Sequence, residues 1–154
     1  MAVEDLAIGP ATQQDLPWCA RVMASTDPWI TLGRDYSACL ARVQRSELEV
    51  LVARSGGAPA GFVLLHPTGV AGSPYIASIA VAAEARGSGV GTALMEFAER
   101  HYPEARHMFL LVSSFNRRAR ALYERLGYRA VGELPDYVIE GASEILMHKR
   151  LVRA

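Results

Sequence analysis

A run of alternating glycines, Arg86-Gly87-Ser88-Gly89-Val90-Gly91-Thr92, constrains this chain more than any other feature. An apolar stretch, residues 75–81, precedes it, and a helical pattern, residues 90–101, follows it. The run therefore joins a buried strand to a helix. Glycines at such a junction leave the first backbone N–H groups of the helix uncovered by side chains and without intrahelical partners. The same end of the helix carries partial positive charge. Strand, glycine turn and helix N-terminus together read as a cradle for phosphate.

The spacing excludes the two commonest phosphate loops. A Walker loop needs Gly-x-x-x-x-Gly-Lys-Ser/Thr, and no Lys stands in this segment. A dinucleotide fingerprint needs Gly-x-Gly-x-x-Gly, but counted from Gly87 its last place falls on Thr92, and from Gly89 on Leu94. What fits is Arg/Gln-x-x-Gly-x-Gly, over Arg86, Gly89 and Gly91. A tight helix entry with no ligand is the plain alternative for this segment taken alone.

A second motif follows in Asn116-Arg117-Arg118-Ala119-Arg120-Ala121-Leu122-Tyr123-Glu124-Arg125-Leu126-Gly127-Tyr128. Asn116 is placed to cap a helix through its side-chain oxygen. Ala119, Leu122, Tyr123 and Leu126 recur at i, i+3, i+4 and i+7 and form one apolar face. Gly127 stands where a helix C-terminus calls for positive φ. This segment resembles Asn-x-x-Ala-x-x-Leu-Tyr-x-x-x-Gly-Phe, with Tyr128 in place of the Phe. With the glycine run, it makes the chain similar to the GNAT superfamily of N-acetyltransferases, which use acetyl-coenzyme A. The resemblance is strong over residues 75–150 and weak in the N-terminal half. It implies an α/β fold with a GNAT-like mixed, mostly antiparallel central sheet flanked by helices, and one acetyltransferase domain over residues 1–154.

Composition agrees with one globular domain. A chain of 154 residues, half of them hydrophobic, is long enough for a proper core. Lys+Arg and Asp+Glu are 16 each, and without a basic excess neither nucleic acid nor an anionic membrane is expected as a partner. No apolar run is long enough to span a bilayer, and the acidic start, residues 1–5, lacks the basic and apolar regions of a signal peptide. A cytoplasmic protein with reduced Cys19 and Cys39 is expected, with no metal site, and a homodimer is left open.

Strands are expected at residues 6–9, 47–54, 59–66, 76–81, 107–113, 128–134 and 144–151, with Gly56-Gly57 as a turn and 69–74 as a loop. Thr12-x-x-Asp15 and Pro17 mark a helix whose inner face is Leu16, Ala20, Met23 and Ala24. A second helix is expected over 35–45. The mostly apolar 107–113 strand reads as buried on both faces.

The resemblance also distributes roles. Acetyl-CoA is the implied co-substrate. Its pantetheine arm would pair with the backbone of Ile79, Ala80 and Val81, and its pyrophosphate would face Gly87, Ser88, Gly89, Val90, Gly91 and Thr92. Arg86 would either contact phosphate or be a solvated loop charge. Asn116 would cap its helix only, or touch the pantetheine as well. A backbone N–H of the 79–81 stretch would polarise the thioester where two strands splay. Tyr123 would be the general acid for the leaving thiolate; the other reading is a core tyrosine with a satisfied hydroxyl. The carboxylates that some GNAT proteins use as a base are missing: Leu111 stands five residues before Asn116, and the central strand reads Ile76-Ala77-Ser78-Ile79. A water relay, or Glu133, Asp136, Glu140, Asp35 or Tyr36, would then serve. Trp29, Leu32, Asp35, Tyr36, Asp136, Tyr137 and Glu140 would build the acceptor groove, and acidic with aromatic residues suit a cationic amine. Small amines, amino acids and protein amines stay open as substrates. A non-catalytic acyl-CoA sensor and a different nucleotide-binding fold are the competing readings.

Overall fold

The computed structural model describes residues 6–153; the acidic 1–5 stretch, expected to be no signal peptide, lies outside them. Seven strands, β1 (Leu6–Pro10), β2 (Glu49–Ser55), β3 (Ala58–Val70), β4 (Ser73–Val81), β5 (His107–Ser113), β6 (Arg129–Pro135) and β7 (Ser143–Arg150), form one sheet in the order β1-β2-β3-β4-β5-β7-β6. Four helices flank it: α1 (Asp15–Ala24), α2 (Tyr36–Val43), α3 (Val90–His101) and α4 (Arg117–Arg125). Every neighbouring pair is antiparallel except β4 and β5, which α3 connects as a crossover. This is the mixed, mostly antiparallel sheet that the sequence implied.

Alternation along β3 builds two apolar layers. Val63 and Leu65 face α3 and α4, with Ile76, Leu94, Met95, Leu110 and Met147. Phe62 and Leu64 face α1 and α2, with Cys19, Met23, Cys39 and Val43. All four β3 side chains are fully buried, so the strand is covered on both faces. Each contributes about 1.5–3 kcal/mol of burial energy. Cys19 and Cys39 are free thiols in the α1/α2 layer, and burial pushes Cys19 up to about 12.

Strand β4 carries an irregularity where it pairs with β3. Leu64 pairs with Ser78 but Leu65 pairs with Ile76, so Ala77 is an extra residue in β4. The β-bulge resets the alternation. Ile76 and Ile79 pack with the α3/α4 layer, while Ala77 packs with the α1/α2 layer and Ser78 bonds to Arg42 of α2.

The Thr12-x-x-Asp15 start is present in half: the Asp15 carboxylate accepts from Thr12 N–H at 2.7 Å and pairs with Arg54, and α1 begins at Asp15, with Gln14 at the cap making no side-chain bond. Two expectations are corrected. The 69–74 loop is a tight hairpin. Ala71 and Gly72 at positive φ turn the chain, and Gly69 lies so close to Tyr75 that a Cβ there would meet it at 2.8 Å. Strand β5 is buried on one face only. Met108, Leu110 and Val112 enter the α3/α4 layer, whereas His107, Phe109 and Leu111 stay half-exposed because the α1/α2 layer covers β2, β3 and β4.

Candidate active site

The parallel pair is short. β4 and β5 are in register only at Tyr75–Phe109 and Ile76–Leu110. Beyond that point β4 stays on β3 and β5 stays on β7, so the two strands diverge. The gap opens a cleft of about 1240 Å³ between the glycine run, the end of β4, the end of β5 and the apolar side of α4.

The register fixes which β4 backbone groups face the cleft. Ala82 N–H donates to Ala60 O at 2.8 Å, and the pairs Phe62–Ala80 and Leu64–Ser78 continue that phase. Antiparallel pairs alternate between bonded and non-bonded, so Ser78 and Ala80 turn their N–H groups toward β3, and Ile79 and Val81 turn theirs into the gap. The expectation of three cleft-facing backbones therefore narrows to Ile79 and Val81, since the amide of Ala80 is spent on β3.

The glycine run is shaped by backbone. Gly89 caps α3 in the left-handed conformation at φ 89°, and Gly87 has φ 79° with nothing within 4 Å of where a Cβ would stand. The first intrahelical bond runs from Ala93 N–H to Gly89 O at 3.0 Å, which leaves the amides of residues 90–92 without helix partners. A Cβ on Gly91 would meet Leu122 and Val81 at an ordinary 3.7 Å. The open space above Gly87 beside uncapped amides fits a pyrophosphate-bearing ligand. Gly87, Gly89, Val90, Gly91 and Thr92 all line the cleft; Ser88 does not, because its hydroxyl turns to Ala85 O. Arg86 braces the loop, donating to Val81 O at 3.2 Å and Thr26 Oγ1 at 3.1 Å.

Helix α4 supplies the far wall. Ala119, Leu122 and Leu126 pack on the core beside the buried Tyr123, and the chain leaves the helix through Gly127 at φ 100°, with Tyr128 N–H bonded to Tyr123 O at 3.0 Å. Asn116 occupies the cap position but makes no side-chain cap bond, contrary to the expectation from sequence; the residue lines the cleft. The Tyr123 hydroxyl bonds to no described residue. No fully enclosed side-chain oxygen or nitrogen among the described residues lacks a partner, so this hydroxyl opens on the cleft it lines. Burial pushes its pKa up, which keeps the phenol protonated.

Two cleft residues escaped the sequence reading. Glu144, at the start of β7, is 7% exposed and accepts from Ser113 Oγ at 2.8 Å. Burial raises its pKa, partly offset by that bond. Arg42 of α2 reaches the bulge, with Nε on Ser78 Oγ at 2.8 Å and Nη2 on Ala77 O at 2.6 Å. The only sequence signals were a charge heading the apolar run Glu144-Ile145-Leu146-Met147, and an Arg three residues from Cys39 on the inner side of a short helix.

The acidic acceptor rim expected from sequence is not found. Trp29, Leu32 and Tyr137 line the cleft, but Asp35, Tyr36, Glu133, Asp136 and Glu140 do not. Asp35 caps α2 through Ala38 N–H, Asp136 accepts from Gly141 N–H, and Glu133 accepts from Ser143 Oγ. Arg34, Arg42 and Arg45 line the cleft there, together with Asp27, whose carboxylate accepts from Thr31.

A mixed sheet parted at its parallel pair, with a glycine-entered helix beside the gap, defines an α/β fold with a cleft suited to a phosphate-bearing ligand. The sequence makes the assignment: the model of the Acetyltransferase (GNAT) family matches residues 12–128, and the chain belongs to that family. It is 40% identical over 82 residues to an uncharacterized N-acetyltransferase of Methanocaldococcus jannaschii, a match covering 51% of this chain and 53% of that relative. Among solved structures it is similar to Ard1 from Thermoplasma volcanium (22% identity, 97% and 99% of the two chains, TM-score 0.79). It is also similar to the ribosomal-protein-S18-alanine N-acetyltransferase from Escherichia coli (21% identity, 97% and 96%, TM-score 0.75).

Proposed function

We propose that this protein transfers an acetyl group from acetyl-CoA to a primary amine by direct attack. The observation that carries the reading is the convergence, in one cleft, of a cleft-facing β4 backbone, an unpartnered tyrosine hydroxyl and a buried carboxylate. Acetyl-CoA, when bound, supplies a thioester whose carbonyl carbon an amine can attack. The amides at the start of α3 and the space over Gly87 would hold its pyrophosphate, and the Asn116 side chain is free to bind beside it. Ile79 N–H would donate to the carbonyl oxygen as negative charge builds there. Glu144 would take the proton of the incoming ammonium, a task suited to a carboxylate with a raised pKa. Tyr123 would return a proton to the departing thiolate. An ammonium loses two protons on becoming an amide: Glu144 takes the first and passes it to solvent, and the second, lost from nitrogen as the tetrahedral intermediate collapses, balances the one that Tyr123 gives to sulfur.

This assignment replaces the water relay or rim acid expected from sequence with a carboxylate on the strand next to β5. The test is thiol release and amine acetylation with acetyl-CoA across amines, amino acids and peptides. Transfer to any of them supports the reading. Tight acetyl-CoA binding with no transfer would favour a sensor, and absent binding would overturn both.

A further inference from the structure

Arg42 is half spent. The lateral edge of its guanidinium is used on the bulge, where Nε and Nη2 meet Ser78 Oγ and Ala77 O, themselves bonded to each other at 2.7 Å. The end-on edge, Nη1 with the second N–H of Nη2, has no partner among the described residues. Arg42 lines the cleft, and no fully enclosed polar side-chain atom among the described residues goes unpaired, so Nη1 of this cleft residue is not sealed in the core. No carboxylate pairs with Arg42 among the described residues; the neighbouring Arg45 is taken by Glu47. Burial works against the charge of Arg42, and so do Arg45 and Arg34. An oxyanion brought to that edge would relieve both.

Glu144 lines the same cleft, and so does Tyr75, whose phenol senses both charges: burial raises its pKa, the Arg42 charge lowers it, and the Glu144 charge raises it. The residues that anchor Arg42 precede Ile79 by one or two positions, about 3–7 Å along a strand. An anion on Arg42 would therefore sit in the part of the cleft next to the end of β4 that carries Ile79. The free end-on edge is a planar two-donor fork, which matches a carboxylate.

Resting on the acetyltransferase reading above, we propose that the acceptor is a small free amino acid, its carboxylate received by the end-on edge of Arg42 and its amine presented on the Glu144 side. This reverses the cationic-amine preference drawn from the sequence. It also separates the acceptor from polyamines and from protein N-termini, whose amines carry no carboxylate at that distance.

The experiment is steady-state kinetics of the intact protein with acetyl-CoA against the free amino acids, their α-carboxamides, polyamines and short peptides, with acetyl-CoA affinity measured in parallel. We expect at least one amino acid to be acetylated with kcat/KM about tenfold or more above its own amide, because a site built for a polar group discriminates against the analogue lacking it. Arg42→Gln should raise KM for the acid well beyond any change for the amide and bring their ratio close to one. If that variant does not fold, the wild-type ratio alone decides. Equal values for acid and amide, turnover confined to polyamines or peptides, or a ratio that survives Arg42→Gln would overturn the proposal. Acetyl-CoA binding with transfer to carboxylate-free amines sinks only the acceptor class; absent acetyl-CoA binding sinks the acetyltransferase reading with it.

Discussion

The two arms of the cleft are made of different material. The arm beside α3 is built from backbone: glycines in left-handed conformations, uncapped helix amides and the cleft-facing N–H groups of Ile79 and Val81. The arm beside α2 is built from side chains held by other side chains: Arg42 on Ser78, and Glu144 on Ser113. A backbone site fixes the shape and charge of what it holds and changes little when neighbouring residues change. A side-chain site can be rewritten by one substitution. The first arm suits an invariant co-substrate and the second a chosen acceptor.

Substitutions can break or sharpen that contrast. The largest effect is expected at Glu144→Gln, which keeps the bond to Ser113 but cannot accept a proton. Turnover should fall by about 10³-fold, with acetyl-CoA affinity unchanged. The raised pKa of Glu144 means that its base form appears only above the ordinary glutamate range, so the acid limb of the wild-type kcat profile should lie high and vanish in the variant. A loss under tenfold would return the task to water. Tyr123→Phe removes only the hydroxyl; kcat should drop by about 10²-fold with acetyl-CoA binding nearly preserved. Full turnover in this variant would make Tyr123 a core residue.

On the backbone arm, effects should be smaller and fall on binding or stability rather than on turnover. Gly89→Glu puts negative charge at the helix start, and calorimetry should show acetyl-CoA affinity weakened by about tenfold or more. Unchanged affinity in the folded variant would move the phosphate site elsewhere. Gly91→Ala is the mildest. Its Cβ finds ordinary 3.7 Å contacts, so the helix should gain about 0.5–1 kcal/mol, read as a melting temperature a few degrees higher. A loss of stability would show that the N-terminus of α3 is tighter than its contacts indicate.

The same contrast explains what could be read from the sequence. The backbone arm was legible because glycine at fixed spacing has few other uses, and the strand and helix around it carry their own periodicity. The seven strands, the four helices and Tyr123 on the apolar side of α4 followed from the same patterns. The side-chain arm was not legible, because it depends on register across strands distant in sequence. Ser113 meets Glu144 only through the β5–β7 pairing, and Arg42 finds Ser78 only because a bulge turns Ala77 and Ser78 to the same side. Asp35, Glu133, Asp136 and Glu140 were the visible acidic candidates, and none of them lines the cleft: Asp35 caps α2, Asp136 closes a turn and Glu133 bonds to Ser143.

The two-pair contact between β4 and β5 bears on how the molecule holds together. Residues 6–81 form one four-stranded half-sheet and residues 107–150 a three-stranded one, each contiguous in the chain and internally bonded along its length. Across the seam, cohesion comes from the core under α3 and α4, with very little from the backbone ladder. The halves should thus behave as separate cooperative units in hydrogen exchange, with the amides of Ile79 and Val81 among the fastest in any strand. A ligand lying in the seam and bonding to both lips would act as an added strand, fusing two units into one. Occupancy would then be legible as slowed exchange deep in the sheet, well away from any residue the ligand touches.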